Sequence, residues 1–341
     1  MSISLKKFGR TGLKVSEVAL GTMAFGRWID ESKSAEVLDT ALDAGINFID
    51  TADVYGKGTD LSNPQESGQS ETILGNLLGS RRNRIILATK VHGRVGNEPN
   101  DQGQSRYHII RAVENSLRRL KTDYIDLYQV HRFDRETPLE ESLRALDDLV
   151  RQGKVRYIGA SNYAAWQLAK AHGISAQLGL HRYESIQPEY SLIARGIEQE
   201  LLPFAASEQV GVVVYSPLGR GLLTGKYEFN QAPPAGSRGA AGEARIKPLL
   251  ENERNFHIVE ALKPIAARKG WTLAQLALTW VVSQPQVTSA ILGASKPQNI
   301  TESIAKVAEK LTADELAEID AITQGDFNVY NALRESAAAK A

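Results

Sequence analysis

The sequence predicts an α/β protein folded as one (β/α)8 TIM barrel, with residues 1–341 forming a single domain. Three observations predict it. Strand-like segments alternate with helix-like ones along the whole chain, giving eight strand–helix units of suitable length. Each strand is nearly continuously apolar, as a sheet covered on both faces requires. Polar residues gather at the C-terminal strand ends, namely Thr22, Asp50, Lys90, His131, Ser161, Gln187, Ser216 and Ser295. That end carries the active site in such barrels. A doubly wound sheet would instead place a GxGxxG turn after an early strand, and none occurs there.

Residues 8–13 read as a polar opening shaped into a small hairpin, and 15–22 as a strand ending in Gly21-Thr22. Residues 32–44 are helical, with Val37, Leu38, Ala41 and Leu42 on one face and Gly45 as the stop. The strand 47–50 closes on Asp50. A polar loop over 56–69 leads to a helix lined by Ile73, Leu74, Leu77 and Leu78. The strand 85–90 ends on Lys90, and a second long loop covers 91–105. Ile109, Ile110, Val113, Leu117 and Leu120 mark an amphipathic helix before the strand 125–131. Leu139, Leu143, Leu146, Leu149 and Val150 define the next helix, which Gly153 stops.

The second half repeats the pattern. Val155–Ser161 is a strand, followed by a helix through Trp166, a short strand over 185–190 and a helix over 198–208. The apolar strand 210–217 runs into a glycine- and proline-rich loop, 218–248. Helices are expected over 252–269 and Leu273–Ser283, then a last strand over 289–293. Pro297 opens a helix from a favoured first-turn position. Thr312 caps an extra C-terminal helix with an acidic first turn, and the tail past Gln324 is expected to fray or lie over the barrel mouth. The long loops all fall on the C-terminal face.

The chain has 341 residues, 42% hydrophobic content and no net formal charge. It can bury a large core, and neither nucleic acid nor an anionic membrane is expected as its main partner. The lack of cysteine excludes disulfides, thiolate metal sites and a cysteine nucleophile. Residues 1–12 lack an apolar leader core, and no apolar run approaches the ~18 residues of a membrane span. A cytoplasmic location is the expectation.

The stretch 47–55 carries the chemistry. Asp50 ends a buried strand, a costly place for a carboxylate unless a cation or several donors meet it. Lys90 closes the next strand, His131 the one after, and Tyr55 follows Asp50 by five positions in a loop. Singly, Asp50 reads as a cap, Tyr55 as a loop aromatic, Lys90 as a strand-end lysine seeking solvent and His131 as a core histidine. Together, on successive parallel strands, they converge at one end of the sheet and read as a site. The histidines show no His-x-His or His/Asp cluster with ligand spacing, so no metal is expected.

The ordered landmarks resemble the aldo-keto reductase family over almost the whole chain. They are Gly45-Ile46-Asn47-Phe48-Ile49-Asp50-Thr51-Ala52 with Tyr55, Gly68-Gln69-Ser70-Glu71, Thr89-Lys90 and Val130-His131. They continue with Gly159-Ala160-Ser161-Asn162, Gln187-Pro188-Glu189-Tyr190, Ser216-Pro217-Leu218, Gly225-Lys226 and Gly293-Ala294-Ser295. The resemblance implies NADPH-dependent reduction of a small-molecule carbonyl on a (β/α)8 barrel, with Asp50, Tyr55, Lys90 and His131 as the catalytic tetrad. Hydride delivery to a carbonyl builds an alkoxide, which needs a proton donor and a positive field. A lysine ammonium beside a tyrosine favours the phenolate, Asp50 would hold that lysine, and His131 would orient the carbonyl oxygen.

The resemblance also implies the cofactor contacts. Ser161, Asn162 and Gln187 would grip the nicotinamide carboxamide, with Tyr215 stacked on the ring and Thr22 and Asp50 nearby. Ser216, Pro217, Leu218, Gly219, Arg220 and Lys226 suit a loop over the pyrophosphate. Gly293, Ser295 and Lys296 suit an adenosine 2′-phosphate, with Asn299, Glu302 and Arg238 beside it. The family often has Gln at position 299 and Asn at 303, where this chain has Asn299 and Ser303, so its adenine contacts differ. Potassium-channel β subunits resemble the chain too, and a nucleotide-sensing binding role is the rival reading; they carry asparagine in place of His131. Substrate choice lies in the loops 56–69, 91–105 and 218–248 and in the tail. Asp60, Ser62, Asn63, Gln65 and Glu66 favour a polar carbonyl, and Trp28 is a candidate pocket wall or surface residue.

Overall fold

A computed structural model of the chain describes residues 3–57 and 63–324. Asp60, Ser62 and the tail past Gln324 lie outside the described residues. Two short strands, β1 (Leu5–Lys7) and β2 (Lys14–Ser16), pair antiparallel as the N-terminal hairpin. The barrel strands are β3 (Val18–Gly21), β4 (Phe48–Asp50), β5 (Ile86–Val91), β6 (Ile125–Val130), β7 (Val155–Ser161), β8 (Tyr183–Gln187), β9 (Gly211–Val214) and β10 (Val287–Gly293). They pair in chain order, all parallel, and β10 closes on β3, so the expected eight-stranded barrel is present.

Around it lie α1 (Glu31–Asp43), α2 (Gln69–Leu78), α3 (Arg106–Leu120), α4 (Leu139–Arg151), α5 (Ala165–Leu178) and α6 (Leu201–Ser207). They continue with α7 (Lys247–Leu250), α8 (Glu253–Lys269), α9 (Leu273–Ser283), α10 (Pro297–Ile304) and the extra α11 (Ala313–Thr323). Capping follows the residue types: the Asp30, Ser105 and Thr312 side chains accept from the first-turn N–H groups of α1, α3 and α11.

The run 15–22 is two strands rather than one. Glu17 is the corner between the hairpin and the barrel: its N–H bonds the Ser4 carbonyl, and its own carbonyl accepts from Ala290. The strand around Gln187 begins at Tyr183 and stops before Pro188, which has no N–H to give the ladder. The helix expected over 198–208 starts at Leu201, after a separate turn over Gly196–Glu198. The loop 218–248 holds a helical turn, Gly219–Thr224, and α7 starts at its end.

The barrel interior is layered by the period-2 alternation of its strands. Phe48, Ala88, Leu127, Val213 and Ile291 form an apolar lower layer, plugged from below by Phe8 of the hairpin turn. The Phe8 and Phe48 rings meet edge to face at 5.9 Å. Two residues further along β4, β5 and β6, the same inward face presents Asp50, Lys90 and Gln129. Gly159 of β7 makes room there, because a Cβ would lie 2.3 Å from Ser185 Oγ and 3.2 Å from Gln129 Cγ. Outward-facing residues pack under the helices in a second, larger core. No helix among the described residues is long and apolar enough to cross a membrane.

Candidate active site

The polar layer holds a buried ion pair. Asp50 is 2% exposed and Lys90 0%, and the ammonium donates directly to the Asp50 carboxylate. It also donates to the Thr51 carbonyl at 2.8 Å and to the Tyr55 hydroxyl at 3.5 Å. The second Asp50 oxygen accepts from Gln187 Nε2 at 2.9 Å and from Gln129 Nε2 at 3.2 Å. A charge taken from water is stable only when paired and hydrogen-bonded this fully. Burial alone would lower the Lys90 pKa, but the charges of Asp50 and Tyr55 more than offset it and hold the ammonium protonated.

Tyr55 sits on this pair from above. Lys90 Nζ lies 5.0 Å from its ring centroid, and the His131 ring meets it edge-on at 5.9 Å. The His131 N–H bonds the Val91 carbonyl at 2.8 Å, which ties the end of β6 to β5. Burial first, then the positive charges of Lys90, Arg132 and Arg245, push the imidazole pKa well below its ordinary value. His131 is therefore neutral at neutral pH. The four residues that the sequence singled out thus meet at the C-terminal mouth.

The expected cofactor residues surround that mouth unevenly. Asn162, in the left-handed region at φ 57°, donates to the His131 carbonyl and accepts from the Tyr215 hydroxyl at 2.8 Å. Ser161 hydroxyl donates to the Gln187 carbonyl. Gln187 is buried against Asp50, so its amide group serves the ion pair. Thr22 is buried, bonded to Ser70 at 2.8 Å and to the Asp50 carbonyl at 3.1 Å. Ser216, Gly219, Arg220 and Gly221 all have positive φ, so the chain after β9 coils tightly over Pro217 and Leu218. Arg220 reaches back to Glu189 at 3.2 Å, and Lys226 is exposed.

At the end of β10, a Cβ on Gly293 would lie 3.5 Å from Arg238 Nη2, so that guanidinium lies beside the turn leading to Ser295. Arg238 also covers Trp28, 4.9 Å from its ring, and Arg27 lies 4.7 Å from the same ring. Trp28 is thus partly exposed and flanked by two cations. Asn299 Oδ1 accepts from the Ser295 and Lys296 backbone N–H groups and caps α10, while Glu302 is exposed. The Lys296 ammonium has no ion-pair partner among the described residues.

Three participants carry no role in the sequence reading. Gln129 contacts Asp50 and is in register with Lys90, a position that strand alternation could have flagged. Asp53, inside the motif, is 1% exposed with no side-chain donor on its carboxylate. Burial and the Glu71 charge push its pKa well above the usual carboxylate range, despite Arg119 and Lys90. His92 follows Lys90 by two positions with φ 146°. Among the described residues no His/Cys/Asp/Glu group could hold a metal ion.

A model of the "Aldo/keto reductase family" matches residues 17–324. The chain is 39% identical over 325 residues to the uncharacterized oxidoreductase YrpG of Bacillus subtilis, covering 93% of this chain and 95% of that one. It is 37% identical to a probable voltage-gated potassium channel subunit beta of Oryza sativa, covering 94% and 96%. It is 36% identical to the versiconal hemiacetal acetate reductase of Aspergillus parasiticus, covering 91% and 94%. With an eight-stranded parallel barrel and a match over nearly its whole length, the chain belongs to the aldo/keto reductase family.

Proposed function

We propose that the protein reduces an aldehyde or ketone to the alcohol, using NADPH, with Tyr55 as the proton donor. The observation that supports this most directly is the hydrogen-bonded line from Asp50 through Lys90 to Tyr55, which ends beside a neutral His131 at the barrel mouth. The reductase among the relatives agrees with it. The cofactor supplies the hydride when bound.

The chain's own residues then have to manage a proton and a growing negative charge on the substrate oxygen. Tyr55 gives its phenolic proton to that oxygen. Lys90, held charged by Asp50, stabilises the phenolate that remains. His131 donates a hydrogen bond to the same oxygen without adding a charge. Water is kept from the ion pair by the walls of the barrel.

The residues around the mouth fit a phosphorylated dinucleotide. Asn162 is exposed and Tyr215 half-buried beside it, suited to an amide and a flat ring. The coiled segment from Ser216 to Gly221 has the run of positive φ that suits a backbone cradle for a pyrophosphate. Arg238, beside Gly293, and Lys296, next to Ser295 in the chain, would hold a 2′-phosphate.

NADPH oxidation followed at 340 nm against aldehydes, ketones and keto-sugars tests the reading. Tyr55→Phe should lower kcat by at least ~10²-fold while NADPH binding barely moves. Near-normal turnover in that variant would remove Tyr55 from the mechanism. A wild-type chain that binds NADPH but reduces no carbonyl would favour the nucleotide-sensing role suggested by the channel-subunit relatives.

A further inference from the structure

Gly68-Gln69-Ser70-Glu71 opens α2, outside the tetrad and outside the expected cofactor contacts. Ser70 is nonetheless fully buried, and its groups reach three segments around the ion pair. Its N–H donates to the Tyr55 carbonyl at 3.1 Å. Its hydroxyl donates to the Thr22 carbonyl at 2.9 Å, at the end of β3. The same oxygen lies 2.8 Å from the Thr22 hydroxyl and 3.0 Å from the Thr51 hydroxyl, just past β4. Those two threonines are tied to the ion-paired residues. Thr22 Oγ1 donates to the Asp50 carbonyl at 3.1 Å, and the Thr51 carbonyl accepts from Lys90 Nζ at 2.8 Å.

The rest of the motif holds Ser70 in place. Glu71 is 0% exposed and accepts from the Thr89 hydroxyl of β5 at 2.5 Å and from Arg119 Nε of α3 at 2.7 Å. Gly68 has φ 81°, and a Cβ there would lie 2.5 Å from Arg119 Nε, so the guanidinium packs against bare backbone. Gln69 is wedged between two loops. A Cβ on Gly26 would lie 2.7 Å from the Gln69 Cβ, and one on Gly56, next to Tyr55, 2.9 Å from it. The first turn of α2 is thus anchored on β5, on α3 and on both loops, and the Tyr55 carbonyl is bonded to it.

A proton donor works only when held within about 0.5 Å of its productive position. Lys90 reaches the Tyr55 hydroxyl at a long 3.5 Å, so the place of the phenol depends on the backbone that carries it. We propose that Ser70 is a positioning residue for the reaction, tying the Tyr55 backbone to the strand ends that hold the Asp50–Lys90 pair. This rests on the carbonyl-reductase reading above and adds to it the support of the proton donor.

The test is a double-mutant cycle on kcat, with NADPH and 4-nitrobenzaldehyde, an activated aldehyde. Ser70→Ala keeps the backbone N–H and removes the hydroxyl. Counting sites by NADPH binding keeps unfolded chain out of kcat. A donor displaced by about 1 Å loses up to ~10²-fold, so kcat per site should fall about tenfold while the NADPH Kd moves less than about twofold. In the Tyr55→Phe background the same change should lower kcat by less than about twofold, because the group being positioned is gone. Near-normal kcat in Ser70→Ala, or equal losses in both backgrounds, would overturn the proposal and leave the reductase reading intact. A wild type that binds NADPH but reduces no aldehyde, or a Tyr55→Phe variant with normal kcat, would overturn both. Should Ser70→Ala bind no NADPH, Ser70→Cys, which keeps a weak donor of similar shape, carries the same cycle with the same deciding outcomes.

Discussion

The Lys90 ammonium and the Asp50 carboxylate form a direct ion pair that is sealed from solvent at the floor of the barrel mouth. Each needs the other, because a lone carboxylate has only the Gln187 and Gln129 amides for company and a lone ammonium only the Thr51 carbonyl and the Tyr55 hydroxyl. Lys90→Met should therefore destabilise the protein by ~3–5 kcal/mol, the usual cost of stranding one buried partner. Asp50→Asn combined with Lys90→Met should cost less than the sum of the single changes, since no charge is left unpaired. Urea melts of the three variants would show it, and additive losses would mean that the pair is not coupled. With its folded pKa raised, Lys90 contributes fully below its unfolded value of ~10.4 and loses that contribution only as pH climbs through the higher folded value.

His131 is held neutral by burial and by the cations around it. Its titration therefore lies well below its ordinary pKa, ~6.5, and no activity limb near that pH should belong to it. The profile of kcat/KM between pH 5.5 and 8 should keep its shape in His131→Asn, while its height falls about 10²-fold, or ~3 kcal/mol. A limb near pH 6.5 that vanishes in the variant would show a titrating imidazole instead.

Lys296 is exposed at the start of α10 and lacks an ion-pair partner among the described residues. If it meets the 2′-phosphate, Lys296→Ala should weaken NADPH binding about ten- to a hundredfold, from a contact worth roughly 1.5–3 kcal/mol. NADH affinity should hardly change. Cofactor titrations by tryptophan fluorescence read both, and equal losses would make the residue structural.

Asp53 predicts a stabilising substitution. Its carboxyl is buried among Glu71, Arg119, Lys90 and Tyr128, and burial with the Glu71 charge raises its pKa. The folded state then binds a proton that the unfolded state releases above its own pKa, ~3.9. Stability is lost as pH rises from that value toward the raised folded one. Asp53→Asn removes the dependence, so its Tm should exceed that of the wild type at pH 7–8, with the difference vanishing near pH 4. A lower Tm across the whole range would mean that the carboxylate is ionised and paired.

The sequence by itself determined the barrel and the residues of the ion pair. These signals are local: apolar runs of strand length, helix stops at Gly45 and Gly153, and a carboxylate, a lysine and a histidine each closing a strand. Tertiary structure decided what those side chains meet. Gln187 and Gln129 reach Asp50 across 137 and 79 positions, because barrel closure and register turn all three inward at one level. The corner at Glu17 exists because residues 15–22 serve both the hairpin and the barrel, with Ser16 and Glu17 between their apolar parts. The Gln104 amide meets the Arg132 carbonyl and the Tyr163 hydroxyl, which only tertiary packing brings together. Hydrophobic periodicity reports which face of an element is buried, whereas hydrogen-bond partners across a closed sheet follow from register and closure.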